Sequence, residues 1–150
     1  MALRLKIMLV DDQVYVLESL KAVLREGNHT VEGFNDPVKA LAAFKEKRDY
    51  DLVITDIRMP VLTGDKLIHE IHAIDPGQLC IALTAYAERD VLTDIVKEGH
   101  VVRVLLKPWK NADVLKTVEQ AGAEIEKRRS AAAATQPPPA APSDKPAPAP

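Results

Sequence analysis

The sequence contains few of the residues that would indicate several large classes of protein. It has one cysteine, Cys80, in 150 residues, which excludes an intrachain disulfide framework and suggests a reducing compartment. The formal net charge is only −2, and no stripe of Lys and Arg supplies a surface for nucleic acid. No apolar run reaches membrane-spanning length, and the N-terminus lacks a signal-peptide pattern. We therefore expect a cytoplasmic protein with no direct contact to nucleic acid or membrane.

Familiar motifs of nucleotide binding and covalent catalysis are missing as well. The chain has no Walker A loop, no G-x-G-x-x-G motif and no Ser–His pair. A nucleophile, if one is present, is more easily found among the carboxylates.

Apolar segments of strand length alternate with segments of helical periodicity along most of the chain. The predicted strands are residues 5–10, 30–34, 51–56, 79–84 and 101–106. Five helices are predicted. The first spans about 13–26, the second is opened by Asp36-Pro37, and the third carries Leu67, Ile68, Ile71 and Ile74. The fourth carries Val91, Leu92, Ile95 and Val96 and ends at Gly99, and the fifth carries Val114, Leu115, Val118, Ala121 and Ile125 and ends at about Lys127. Such alternation predicts an α/β domain with a parallel sheet and helices on both faces.

The composition changes near residue 130. From Ser130 onward Ala and Pro dominate, and such a segment buries too little apolar surface to offset its ordering entropy. The sequence therefore predicts a folded domain over residues 1–128 and a disordered tail or linker over residues 129–150.

Polar residues follow four of the predicted strands where each strand ends. They are Asp11 and Asp12 after the first, Asp56 at the end of the third, Thr84 at the end of the fourth and Lys107 after the fifth. In parallel α/β sheets, ligands bind beyond the carboxyl ends of the strands. These side chains are therefore expected to lie around one site.

The residue types in this group favour Mg²⁺ and a phosphoryl group. Asp11, Asp12 and Asp56 offer oxygen ligands of the kind that Mg²⁺ takes. Lys107 and Thr84 would neutralise and hold phosphoryl oxygens. Asp56 stands alone on the central strand and is the better candidate nucleophile, whereas the adjacent Asp11 and Asp12 more plausibly share metal binding.

The chain resembles a response-regulator receiver domain of two-component signalling over residues 3 to 128. The motifs that carry the resemblance are Val10-Asp11-Asp12, Asp56-x-Arg58-Met59-Pro60 with Gly64, Leu83-Thr84-Ala85, and Lys107-Pro108. The resemblance implies a flavodoxin-like, doubly wound fold with strand order 2-1-3-4-5.

The resemblance also implies roles for individual residues. Asp56 would accept a phosphoryl group from a histidine kinase, a phosphotransfer protein or a small phosphodonor, and Mg²⁺ would be bound by Asp11 or Asp12, Asp56 and the backbone carbonyl of Arg58. The remaining implied roles are phosphoryl binding and switching by Thr84 and Lys107, space for the phosphoryl group at Ala85, and a cis peptide between Lys107 and Pro108.

As a member of that family the chain would act by binding rather than as an enzyme, apart from its own phosphorylation and dephosphorylation. Its output would be a downstream protein or a fused domain, with a homodimer through the fourth helix, fifth strand and fifth helix as a further possibility.

Three positions bear on how such a site would behave. Val104 stands where the family usually has Tyr or Phe, so a switch by ring rotation is in doubt here. Arg58 and Tyr86, two residues beyond Asp56 and Thr84, are bulky, and we hypothesise that they lengthen the lifetime of the phosphate.

Two other functions use similar residues. A dehalogenase-like, Mg²⁺-dependent phosphatase also needs Asp, Thr and Lys, but it requires a second acid where this chain has Arg58. An interaction module that is never phosphorylated is the other alternative, and the complete acidic, hydroxyl and lysine set argues against it.

Overall fold

The five strands form one parallel sheet. The computed structural model describes residues 4–85, 93, 96, 97 and 101–135. Its strands are β1 (Lys6–Val10), β2 (Thr30–Phe34), β3 (Leu52–Asp56), β4 (Leu79–Thr84) and β5 (Val101–Leu106). Their order is β2-β1-β3-β4-β5, which confirms the predicted flavodoxin-like topology with β3 in the centre.

Four helices surround the sheet in the described part of the chain: α1 (Val14–Glu26), α2 (Pro37–Lys47), α3 (Gly64–Ile74) and α4 (Asn111–Thr135). The helix predicted around Val91, Leu92 and Ile95, with Gly99 as its cap, lies outside the described residues. Val96 from the same segment is described and is helical. None of the helices within the described ranges is long and apolar enough to cross a bilayer.

The strands are apolar on both faces because each face is covered by helices. Ile7, Leu9 and Ile54 belong to the core layer that includes residues of α1 and α4, while Met8 and Val53 belong to the opposite layer with residues of α2 and α3. This alternation explains why the strands read as continuous apolar runs rather than as alternating apolar and polar residues. Cys80 is fully buried in the second layer, and burial raises the pKa of its thiol.

Helix α4 corresponds to the fifth helix predicted from the sequence. It continues past its predicted end at Lys127 and ends at Thr135. The predicted end of this helix was wrong because residues 131–134 are all alanine, and alanine has the highest helix propensity of any residue. The first proline after Lys127, which would end a helix, comes only at Pro137. The Arg129 guanidinium lies 2.6 Å from the Asp51 carboxylate at the start of β3. The boundary drawn after residue 128 therefore falls inside this helix, and residues 136–150 lie outside the described part.

Candidate functional site

The chemically active side chains converge where the carboxyl ends of β1, β3 and β5 meet. A cavity of about 590 Å³ opens at this edge of the sheet. The described residues that line it are Asp12, Gln13, Asp56, Arg58, Met59, Pro60, Ala85 and Lys107. Side chains from distant parts of the sequence thus share one cleft, as expected for the edge of a parallel sheet.

Asp11 is fully buried and is not among the described residues that line this cavity. Its Oδ1 accepts a hydrogen bond from the backbone N–H of Gln13 at 2.9 Å, just before the first turn of α1. Its Oδ2 lies 3.0 Å from Lys107 Nζ. That contact is an ion pair without hydrogen-bond alignment, and this buried oxygen has no hydrogen-bonding partner among the described residues.

Asp56 is the last residue of β3 and is only 6% exposed. Its Oδ1 accepts from the backbone N–H of Ile57 at 2.9 Å, which fixes the orientation of the carboxylate. Lys107 Nζ lies 3.3 Å from its Oδ2. The ammonium of Lys107 thus bridges Asp11 and Asp56 from the end of β5, with β4 lying between β5 and β3 in the sheet.

The electrostatics of the site disfavour a full set of negative charges. Burial, followed by repulsion from Asp11, raises the pKa of Asp56 to about 6, and the attraction of Lys107 opposes the shift only in part. Burial alone would lower the pKa of Lys107, but its contacts with Asp11 and Asp56 outweigh burial and the pKa lies above its ordinary value. The site therefore contains more negative charge than its one ammonium neutralises.

The residues present fit a hard divalent cation. One carboxylate oxygen from each of Asp11, Asp12 and Asp56 lies within 4.8 Å of the others. Asp12 lines the cavity while Asp11 and Asp56 are buried, an arrangement that leaves room for water on one side of an ion, as Mg²⁺ requires. The buried Asp11 Oδ2, which contacts the Lys107 ammonium at 3.0 Å, is a further carboxylate oxygen that could bind a cation.

Thr84 and Lys107 are linked through the backbone. The N–H of Lys107 donates to the Thr84 carbonyl at 2.8 Å, and the Lys107–Pro108 peptide bond is cis. Thr84 is fully buried, and its hydroxyl donates to the Ala85 carbonyl at 3.0 Å. Ala85 lines the cavity, whereas Thr84 is not among the described residues that line it.

The other predicted positions are divided between the rim and regions beyond it. Arg58 is exposed and lines the cavity. Tyr86 lies outside the described residues. Val104 is 36% exposed on β5 and is not among the residues that line the cavity. Trp109 is half-buried and packs against the core layer of α1 and α4.

The loop between β3 and α3 is held by a tight turn and a close backbone approach. The N–H of Leu62 donates to the Pro60 carbonyl at 2.8 Å, which makes Val61 the centre of a three-residue turn. Val61 has φ 72°, a left-handed value that is strained for a β-branched residue. Gly64 lies so close to β3 that any side chain there would collide with the backbone of Asp56.

Gln13 was missed by the sequence-based analysis. It lines the cavity and stands at the N-cap position of α1, but its side chain makes no capping hydrogen bond. Its position in the sequence could have indicated this, because a residue that directly follows a carboxylate at a strand end lies at the same edge of the sheet.

A parallel α/β sheet with three carboxylates and a lysine at its carboxyl edge defines the class of site, and comparisons with known proteins define the family. The family model of the response regulator receiver domain matches residues 7–119. A response regulator receiver protein from Anaeromyxobacter is 37% identical over 101 residues, which cover 67% of this chain and 42% of that protein. The transcriptional regulatory protein ZraR of Escherichia coli O157:H7 is 31% identical over 115 residues, which cover 77% of this chain and 26% of that protein.

A solved structure agrees with this assignment. The crystal structure of a response regulator receiver domain protein from Clostridium thermocellum has a TM-score of 0.77 and 29% identity, covering 85% of this chain and 98% of that one. The chain belongs to the response regulator receiver domain family. Members of this family are signalling modules of two-component systems, which bind Mg²⁺ at an acidic pocket and interact with histidine kinases and fused output domains. This chain matches less than half the length of the two curated relatives above.

Proposed function

We propose that Asp56 accepts a phosphoryl group, with Mg²⁺ bound by Asp11, Asp12, Asp56 and the backbone carbonyl of Arg58, and that phosphorylation alters a partner-binding surface. The donor would be a histidine kinase, a phosphotransfer protein or a small phosphodonor. The observation that carries the proposal is the position of the Asp56 carboxylate, which faces the ammonium of Lys107 at 3.3 Å inside a group of three carboxylates.

The chemistry follows from the charges around Asp56. An oxygen of its carboxylate attacks phosphorus, a P–O bond forms, and the bond from phosphorus to the donor nitrogen or oxygen breaks with its electron pair staying on the donor. Lys107, already next to Asp56, neutralises charge on the phosphoryl oxygens. When bound, Mg²⁺ supplies further positive charge to those oxygens. The hydrogen bond from Ile57 holds Asp56 in the orientation for attack.

Transmission to a partner would begin at Thr84. Its hydroxyl bonds the Ala85 carbonyl, so binding a phosphoryl oxygen requires it to turn toward the cavity, where the small Ala85 leaves room. Because the Thr84 carbonyl accepts from the Lys107 backbone, movement at Thr84 reaches the end of β5. Val104 has no ring that could rotate, so we propose that this surface responds weakly or in a different way from receivers with an aromatic residue.

The surface that would respond is partly apolar. Val96, Val104 and Leu106 are 47%, 36% and 51% exposed, respectively. Exposed aliphatic side chains of this kind favour contact with another protein surface. We propose a downstream protein, a fused output domain or a second copy of this chain as the partner at this face.

We propose further that Arg58 and Tyr86 slow hydrolysis of the phosphate. Arg58 is bulky and lines the mouth of the cavity, where it restricts the approach of water. If Arg58→Ala and Tyr86→Ala leave the rate of phosphate loss unchanged, this part of the proposal is wrong.

The main test is intact mass spectrometry with Mg²⁺ and acetyl phosphate on the wild type and on Asp56→Asn, with Trp109 fluorescence recorded in parallel. A single labile phosphate on the wild type alone is the expected result, and a fluorescence change would show that the site responds despite Val104. No adduct with acetyl phosphate, and no binding of a fluoride phosphate mimic, would favour a phosphorylation-independent module. Sustained release of phosphate from many substrates would favour the phosphatase.

A further inference from the structure

Among the described residues that line the cavity, Gln13 differs in chemistry from all the others. Pro60 and Ala85 offer no polar side-chain atom for a hydrogen bond to water, and Met59 offers only a weakly accepting sulfur. Arg58 and Lys107 can only donate, and Asp12 and Asp56 are assigned to the metal and the phosphoryl group. Within this described lining, only Gln13 offers a neutral carboxamide, which can both donate and accept a hydrogen bond.

The backbone of Gln13 is held by a hydrogen bond, but its carboxamide does not cap the helix that begins after it. Its backbone N–H donates to Asp11 Oδ1 at 2.9 Å, and its backbone is extended with φ −91° and ψ 111°. It occupies the N-cap position of α1, yet its side chain does not cap the helix. The backbone of Gln13 is therefore held by an acidic residue of the site, at a position that lines the cavity.

We propose that Gln13 is a water-positioning residue for hydrolysis of the phosphate on Asp56, an inference that rests on the proposed function. Its carboxamide oxygen accepts a hydrogen bond from the attacking water, and its NH₂ group donates to a phosphoryl oxygen. A glutamine that orients water is a recurrent part of phosphoryl-transfer sites. Gln13 would thus promote the step that Arg58 restricts.

The step balances without any other reactant. The water oxygen forms a bond to phosphorus, the bond from phosphorus to the Asp56 oxygen breaks, and the electron pair of that bond returns to the carboxylate. Both hydrogens of the water leave with inorganic phosphate. Gln13 neither gains nor loses a proton, which suits a side chain that does not titrate.

The test compares two rates in the whole chain: formation of the adduct from acetyl phosphate, and its loss after the donor is removed. Both are followed by intact mass with Mg²⁺ present. Gln13→Met keeps the length of the side chain and removes its hydrogen bonds, so we expect loss of phosphate to slow by about three- to tenfold, the effect of one neutral hydrogen bond, with formation unchanged. Gln120→Met, on the exposed surface of α4, is the matched control and should change neither rate.

The other possible outcomes distinguish a failure of the role proposed for Gln13 from a failure of the proposed function. Unchanged or faster loss of phosphate in Gln13→Met would overturn the role of Gln13 while leaving Asp56 as the acceptor. Equal slowing of formation and loss would show a general distortion of the site and would also overturn it. The absence of any adduct on the wild type would instead reject the proposed function itself, and Gln13 with it.

Discussion

Gly64 and Asp56 approach each other so closely that a Cβ on Gly64 would lie 2.0 Å from the Asp56 carbonyl oxygen. The N–H of Gly64 also donates to the Ile57 carbonyl at 2.8 Å. The first residue of α3 is therefore packed directly on the strand end that carries the proposed acceptor. The absence of a side chain at residue 64 sets the path of the loop that forms one wall of the cavity.

Gly64→Ala should destabilise the fold and impair phosphorylation. The methyl group meets backbone atoms that cannot move aside, so we expect a loss of about 1–3 kcal/mol in the free energy of unfolding, as for overpacked cores. Gly77→Ala is the matched control, since a Cβ there meets only Asp75 Oδ1 at 3.5 Å. Urea unfolding and acetyl phosphate labelling measure both effects. Equal stability of the two variants would contradict the steric argument.

Asp56→Asn should stabilise the metal-free protein at neutral pH. The pKa of Asp56 is raised from 3.8 to about 6 in the folded protein, so between these values the folded state binds more protons than the unfolded state. The stability contributed by this group is present below about pH 4 and is lost as the pH rises through 6. Two pKa units set an upper limit near 3 kcal/mol, and we expect a gain of about 1–3 kcal/mol at pH 7.

Urea unfolding of the wild type and Asp56→Asn in EDTA between pH 4 and 8 measures this difference. The advantage of Asp56→Asn should shrink toward acidic pH. Adding Mg²⁺ should stabilise the wild type more than the variant, because the variant lacks a ligand. A variant less stable than the wild type at pH 7 without metal would contradict the repulsion inferred at the site.

His29→Asn should make the protein less sensitive to mild acid. His29 Nδ1 accepts from the backbone N–H of Leu5 at 3.1 Å, so the ring must keep that nitrogen unprotonated. Burial lowers the pKa of His29 below its ordinary 6.5, and the unfolded state therefore binds more protons. The stability that neutral His29 contributes above pH 6.5 is lost as the pH falls through the lowered pKa of the folded protein.

Asn can place its amide oxygen near the position of Nδ1 and does not titrate. Thermal unfolding at pH 7.5 and 5.5 should show a smaller drop in Tm for His29→Asn than for the wild type. An identical drop in both proteins would show that the hydrogen bond to Leu5 does not govern the response to acid.

Val61→Gly should stabilise the protein. Val61 is 94% exposed with φ 72°, so it contributes little burial and holds a strained conformation that costs about 1–3 kcal/mol. Glycine removes the backbone strain in the folded state, but its greater conformational entropy favours the unfolded chain. We expect the free energy of unfolding to rise by about 1 kcal/mol on balance. Val38→Gly, at a 50% exposed position of α2, should instead lose about 1 kcal/mol. Chemical denaturation compares the two, and a loss in both would contradict strain at Val61.

The sheet and the residues at its carboxyl edge were predictable because local patterns define them. Strands β2, β4 and β5 have their predicted bounds, since apolar runs ended by polar residues or turn residues leave little choice. Once a parallel sheet is predicted, the ends of β1, β3 and β5 must share one edge, which brings Asp11, Asp56 and Lys107 together. The cap of α2 at Asp36, whose side chain accepts from the Val38 N–H at 2.9 Å, is local in the same way.

What could not be predicted depends on side-chain orientation and on contacts between distant residues. No pattern shows that the Thr84 hydroxyl faces the Ala85 carbonyl or that Asp11 Oδ2 lacks a hydrogen bond. The contact between Arg129 and Asp51 joins residues 78 positions apart, so sequence periodicity near Arg129 could not reveal it. The end of α4 was missed because a run of Ala next to prolines suggested a tail, whereas helix propensity prevailed.

The ion pair between Arg129 and Asp51 has a mechanical consequence. Asp51 directly precedes β3, and Asp56 is the last residue of that strand. The strand β3 therefore connects the proposed acceptor to the ion pair with Arg129 on α4. With 25 residues, α4 is about 38 Å long. Up to Thr135, the chain therefore leaves the sheet as one continuous helix that is held at Arg129 by this ion pair.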